Sequence, residues 1–574
     1  MTRTRLATFV AVTAAALALP AVASAHAYLV STSPVASATV NTSPKQVALT
    51  FDEAVEPRFA IISVTDAAGR QETTGPPRRS PTNPDTILVP VRHVAEGWYL
   101  VYWRAISVDG HPVRGAFTFA VGPNAGPAPQ FPVPSTSETA ATPRLVTARW
   151  VAFISVMAAI GLLALRLGIA RPVARRVEGA RLRAVSIAFG VASAIGLIAI
   201  PIYTLLATAE FALRSVFDVG ALVPLMDVSA FGRGYLHLWL LFALFVFAGA
   251  VAIGVDRPER PRRSVAELFA TTGVLLAAAA TLLVPGLAGH AAQTRPRGAS
   301  LLLDWVHLAA GSIWIGGLVG LLVLWASLPV AKRTAGLVIA VPRFSNTAFV
   351  SVLLLIGSGV GATIIHLPTL GSLWQTSYGK ALLVKIGLLL AAMLLASGNL
   401  LRTKPRLAIA EHDPDVGVST ARLLRRLVSG EVVLVAAAVF AAAVLSSLPP
   451  PPPSLAAVSN VSDHVGPGAV SSVVAKDGYR FEFHVSPNKA AVPNAFAVKI
   501  TRGGQPVRGA EVLLRFDMLD MEMPSQQYRL AETSPGLYAR SAPALVMVGH
   551  WALAFDVTAH GRPIDLLFVD HATG

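Results

Sequence analysis

Three distant parts of this 574-residue chain carry side chains that could hold a cation, and the donor types differ between them. Near the start, a basic segment (residues 1–5) is followed by an apolar run to Pro20 and the small-residue signal Ala23-Ser24-Ala25. Removal of residues 1–25 as a signal peptide would leave His26 first. A terminal His offers an amine and an imidazole nitrogen that can chelate one ion. Further on, Asp109-Gly110-His111 supplies a carboxylate and an imidazole two residues apart, which share one face if the segment is a strand. The set N, N, O suits tetragonal Cu(II). A chance terminal His, or an Asp-Gly turn, would explain either half alone; the two together point to a metal.

The second group lies inside long apolar runs: His237, Glu267, His290, Asp304, His307, His366, Lys385, Asn399 and Glu431. Ionisable groups there are costly and mark either pairing or function. Asp304 and His307, three residues apart, share a helix face. His237, His290 and His366 fall near the outer ends of their runs. The four histidines are therefore expected to gather beside Asp304 as a candidate copper path through a membrane, although interfacial histidines also bond simply to headgroups or neighbouring helices. Small residues in Trp314-Ile-Gly-Gly317 favour close helix packing there. Glu431, after Ser429-Gly430, is expected to open the last helix as a partner of its dipole. The third group is Met518, Met521, Met523 and His550, a candidate Cu(I) site of soft thioethers plus an imidazole. Methionine also fills apolar gaps, and in a strand Met518 points away from Met521 and Met523.

Positioning such groups requires a membrane. The chain is 53% hydrophobic and only 14% charged, too apolar for a soluble protein of this length. Cysteine is absent, which excludes disulfides, thiolate metal sites and thiol nucleophiles. Eight runs of spanning length are expected, at about 146–168, 184–207, 235–255, 266–286, 303–328, 345–366, 380–401 and 430–447. Arginine and lysine concentrate in alternate loops, so the +15 charge reads as the positive-inside pattern and not as a nucleic-acid surface. An even number of spans places both ends outside the cell. Residues 123–143 and 449–474 read as Pro-rich linkers, and alternation over 475–574 predicts a β-sandwich.

Longer stretches carry family resemblances. His26-Ala-Tyr-Leu-Val-Ser-Thr-Ser-Pro34, Lys45-Gln-Val-Ala-Leu-Thr-Phe51 and Ser107-Val-Asp-Gly-His-Pro-Val-Arg-Gly-Ala-Phe-Thr-Phe119 resemble the CopC family of copper-binding β-barrels over residues 26–122. The resemblance implies Cu(II) held by His26, Asp109 and His111; the family's methionine-rich Cu(I) loop has no counterpart here. Asp304-Trp-Val-His-Leu-Ala-Ala-Gly-Ser-Ile-Trp-Ile-Gly-Gly317, Pro342-Arg-Phe-Ser345, Gly357-Ser-Gly359, Thr376-Ser-Tyr-Gly-Lys-Ala-Leu-Leu-Val-Lys385, Gly398-Asn399 and Gly430-Glu431 resemble the CopD family over 144–448. The Met-rich segment and Val548-Gly-His-Trp551 resemble a YtkA-like or FixH-like domain.

Together these imply a multidomain protein of the plasma membrane: an exported CopC-like β domain, an eight-helix bundle and an exported C-terminal β-sandwich. Its expected activity is capture of Cu(II) outside and movement of copper inward, in copper homeostasis or resistance, with copper ions, the lipid bilayer and an exported copper chaperone as partners. No nucleotide-binding or phosphorylation motif is present, and no enzyme is expected. Two alternatives stay open at this point: a haem-binding membrane oxidoreductase, and a membrane-anchored copper sensor or chaperone without transport.

Overall fold

The computed structural model describes residues 29–35, 38–51, 55, 57–106, 112–125, 142–212, 214–228, 230–293, 296–409, 414–448, 451, 461–490, 492–519, 526–542, 544–546, 548–559 and 561–573. They divide into a helical unit, within 140–366 and 377–448, and a β unit built from the two ends of the chain with residues 367–376.

Among the described residues, the helical unit holds eight helices long and apolar enough to span a bilayer: α1 Pro143–Arg176, α2 Arg183–Ala212, α3 Phe231–Val255, α4 Val265–Leu287, α5 Arg297–Ser327, α6 Val330–His366, α7 Ser377–Leu407 and α8 Gly417–Leu445. Each expected run lies within or nearly within one of them, and most helices extend beyond the run because polar turns continue past the apolar stretch. Helix α5 is central, with Gly311, Gly316, Gly317 and Gly320 all buried. At Gly161 of α1, a Cβ would stand 2.0 Å from the Ser312 carbonyl oxygen and 2.7 Å from Gly316 Cα. Two backbones touch there, an approach that only glycine permits. At the other end of α1, Arg166 binds Asp256 at 2.5 Å, and Arg171 bridges Asp256 at 3.2 Å and Glu267 at 3.1 Å.

The β unit begins with eight strands: β1 Leu29–Ser33, β2 Thr39–Val40, β3 Gln46–Phe51, β4 Ile61–Asp66, β5 Arg78–Arg79, β6 Thr86–Pro90, β7 Gly97–Ile106 and β8 Pro112–Val121. They make two four-stranded sheets, β1-β3-β6-β5 and β2-β8-β7-β4. Alternation in β3 buries Val47, Leu49 and Phe51, and Phe51 meets Trp103 of β7 edge-to-face at 5.3 Å across the two sheets.

The C-terminal part adds β9 Asp463–Val465, β10 Val470–Lys476, β11 Tyr479–Ser486, β12 Asn494–Arg502, β13 Gln505–Pro506, β14 Glu511–Met518, β15 Gln526–Ser534, β16 Leu537–Ala542, β17 Gly549–Ala559 and β18 Arg562–Ala572. Ordered strands at β9 and β10 shorten the linker expected over 449–474. The sheet runs β10-β11-β12-β16-β15-β14-β17-β18-β9 and folds over itself: Phe483 of β11 stacks on Phe568 of β18 at 4.7 Å. Buried apolar residues of both β domains form one contiguous cluster, and the Ala116 N–H donates to the Val546 carbonyl at 3.1 Å.

Candidate functional site

Asp304 and His307 stand on one face of α5, as their spacing predicts, and residues from three other helices close around them. The Ser358 hydroxyl, on α6, donates to the Leu354 carbonyl at 2.6 Å. Its oxygen then accepts from His307 Nδ1, 3.0 Å away, so Nδ1 carries the imidazole proton. Nε2 is left as the lone pair and faces Lys385 Nζ of α7 at 3.5 Å. The same ammonium lies in Coulombic reach of Asp304. Gly286 of α4 makes room for the acid: a Cβ there would sit 2.8 Å from Asp304 Oδ2. Trp305 Nε1 ties α5 to the Ala279 carbonyl of α4 at 3.0 Å. The result is a carboxylate, an imidazole lone pair and a lysine within one apolar bundle, chemistry suited to exchanging one cation for another.

Of the other membrane histidines, the two with described side chains do not join this group as expected. His237 is exposed on α3, and His366 Nδ1 at the end of α6 turns back to donate to the Ala362 carbonyl at 2.8 Å. His290 opens the short helix His290–Gln293, and its side chain lies outside the described residues. Among the described residues no three His, Asp or Glu side chains converge on one metal position. Lys385 supplies what the expected cluster of histidines lacked; its ionisable type in an apolar run was the available signal, but its contact with His307 needed the fold.

Glu431 differs from expectation more sharply. Helix α8 begins well before it, so Glu431 lies mid-helix and not at a dipole end. There it accepts a hydrogen bond from Asn399 Nδ2, on a π-helical turn Asn399–Thr403 in α7, whose Oδ1 accepts from Thr403 Oγ1 at 3.1 Å. Glu267 is structural: it forms the capping box with Ser264 and binds Arg171. Arg149 was not singled out from sequence. It is 5% exposed on α1 and donates to Tyr203 at 2.8 Å and Ser447 at 2.6 Å.

His26, Asp109 and His111 lie outside the described residues, as do Met521 and Met523. The described strands on either side of Asp109 and His111 are β7, which ends at Ile106, and β8, which begins at Pro112. Met518 is 2% exposed, packed in the sandwich core opposite Trp551. His550 is the neighbour of Trp551 on β17 and therefore points to the opposite face. Met518 and His550 cannot serve one ion as expected, because strand alternation separates them by the thickness of the sheet.

Comparison with known proteins matches three family models along the chain: CopC domain at residues 29–122, Copper resistance protein D at 338–445 and YtkA-like at 474–556. The chain is 35% identical to Copper resistance protein C of Xanthomonas campestris pv. juglandis over 125 residues, covering 94% of that protein and 20% of this one. It belongs to the CopC family and also carries a Copper resistance protein D domain and a C-terminal YtkA-like domain. Protein YobA of Escherichia coli is 35% identical over 98 residues, 17% of this chain and 79% of that one. Copper transport protein CutJ of Bacillus subtilis is 29% identical over 397 residues, 67% of this chain and 70% of that one. The CopD match spans Ser358, Lys385, Asn399 and Glu431, whereas Asp304 and His307 precede it. With the CopD match and eight helices of spanning length, this is a multi-pass membrane protein.

Proposed function

We propose that this protein captures Cu(II) outside the cell and passes copper inward across the plasma membrane, serving copper homeostasis and resistance. The observation that carries the reading is the Asp304–His307–Ser358–Lys385 group between helices of a CopD-family bundle, in one chain with a CopC domain. Basic residues concentrated in alternate loops, and so on one side of the membrane, support an outside position for both β domains. His26, Asp109 and His111 are the capture ligands in this reading, with an exported chaperone as the source of copper. In the bundle, Lys385 occupies the cation position at His307 Nε2 between transport events. An arriving copper ion takes the imidazole lone pair while the ammonium turns to Asp304, whose carboxylate neutralises the ammonium, and the copper ion adds its own charge to the site. The membrane potential favours inward movement of a cation by about 2.3 kcal/mol per elementary charge per 100 mV. No catalytic step belongs to this reading.

The test is copper uptake into vesicles reconstituted with the full chain. His307→Ala should lower initial uptake by about 10-fold or more, the scale on which loss of a metal-site partner acts. His26→Ala should weaken capture at low external copper while leaving uptake at saturating copper. Wild-type uptake by His307→Ala would remove the bundle site from the pathway, and no uptake above empty vesicles by the wild type would remove transport.

A further inference from the structure

The YtkA-like domain holds a second histidine beside His550 that sequence reasoning passed over. His571 of β18 stands directly opposite His550 of β17 in the antiparallel register. Directly opposed residues carry their side chains on one face with Cβ atoms about 5 Å apart. Here the two rings meet edge-to-face with centroids 4.6 Å apart, and His571 Nδ1 lies 3.1 Å from His550 Nε2. We propose that this pair forms a binding site for one divalent transition-metal ion, Cu(II) or Zn(II), separate from the path through the helices.

The nitrogen separation argues for the ion type. With metal–nitrogen bonds of about 2.0–2.1 Å, two tetrahedral ligands lie roughly 3.3 Å apart and two adjacent square-planar ligands roughly 2.9 Å apart. The observed 3.1 Å falls between them. Two imidazoles held linearly across a two-coordinate Cu(I) ion would need roughly 4 Å by the same bond lengths. The pair thus fits a divalent ion, and imidazole suits both copper and zinc. For both facing nitrogens to bind the metal, the imidazole that donates in the apo pair gives up its proton there and takes one from solvent at its other ring nitrogen, so both rings stay neutral and water completes the coordination.

The backbone holds this geometry firmly. His550 lies between Gly549 and Trp551, the latter 1% exposed, and its carbonyl accepts from the Leu519 N–H at 2.8 Å. His571 follows Asp570, which is fully buried and accepts from Asn488 Nδ2 at 2.8 Å. Below the pair, Ala552, Ala554, Leu567, Val569 and Leu519 form a small apolar cluster on the same face. Both rings are partly exposed, which leaves access for an ion. Ligands carried on paired strands anchored on either side are pre-positioned, so little ordering is needed on binding.

The experiment is equilibrium dialysis of the detergent-solubilised full chain against Cu(II), and separately Zn(II), with bound metal counted per chain. His550→Ala and His571→Ala should each remove one equivalent, or weaken it about 10-fold or more, and the double variant should lose no more than either single one. His26→Ala should remove a different equivalent, additive with the first. Full stoichiometry and affinity in both single variants would overturn the proposal, as would a double variant that loses two equivalents. Cu(II)-ascorbate oxidation of the wild type, mapped by mass spectrometry, gives a test that depends on no variant's folding. Oxidation is expected at His550 and His571 together, and its absence at both overturns the site.

Discussion

His307 shows how much a single residue's role depends on where its two ring nitrogens point. Ser358 accepts the Nδ1 proton and thereby presents the Nε2 lone pair toward Lys385. Replacing Ser358 with Ala removes that acceptor, a loss on the order of 1 kcal/mol for a buried hydrogen bond. Copper uptake in reconstituted vesicles should fall several-fold, less than for His307→Ala, with folded protein retained. In the proposed pathway, Lys385→Met removes the cation that copper displaces. It should bind copper more tightly and release it more slowly, measured as dissociation into an excess of chelator. Faster release from Lys385→Met than from wild type would contradict displacement at this position.

At the level of elements, two contacts carry the fold beneath these residues. The α1–α5 crossing rests on backbone contact between Gly161 and Gly316. Gly161→Val would drive a branched side chain into the Ser312 carbonyl, and overpacking of this kind costs typically 1–3 kcal/mol or more. The expected outcome is a lower thermal midpoint of the solubilised protein and loss of uptake, since α5 carries Asp304 and His307. In the YtkA-like domain, Glu532 accepts from the backbone N–H groups of Gly509 and Gly536, which hold its carboxyl below the usual range. A carboxyl lowered in the folded state stabilises at pH above its unfolded value and loses that contribution as pH falls through the folded one. Stability should therefore decline on acidification below about pH 4.5, and Glu532→Gln should be less stable near neutral pH with a flatter acid limb. Denaturant titrations at several pH values check both.

On the scale of the whole molecule, the two ends of the chain meet. The CopC and YtkA-like domains are separated in sequence by eight helices, yet their buried apolar residues are contiguous and Ala116 bonds to Val546. Deleting residues 451–574 should expose part of the CopC domain's packed surface. Hydrogen exchange at the Ala116 amide should then speed up while amides in the β3–β6 pair keep their protection. Unchanged exchange at Ala116 would mean that the domains do not support each other.

Much of this architecture was legible before any coordinates. Apolar length alone marks a spanning helix, because lipid leaves the backbone no partner but itself, so all eight helices could be read from composition. Alternation likewise marked the strands, and a three-residue spacing was enough to place Asp304 and His307 on one face. Contacts between elements were not legible. That Lys385 meets His307, that Asn399 meets Glu431 inside α8, and that His571 rather than Met518 stands beside His550 depend on helix packing and strand register. Periodicity says which face a residue occupies within its own element. Only tertiary packing decides which other face is brought against it.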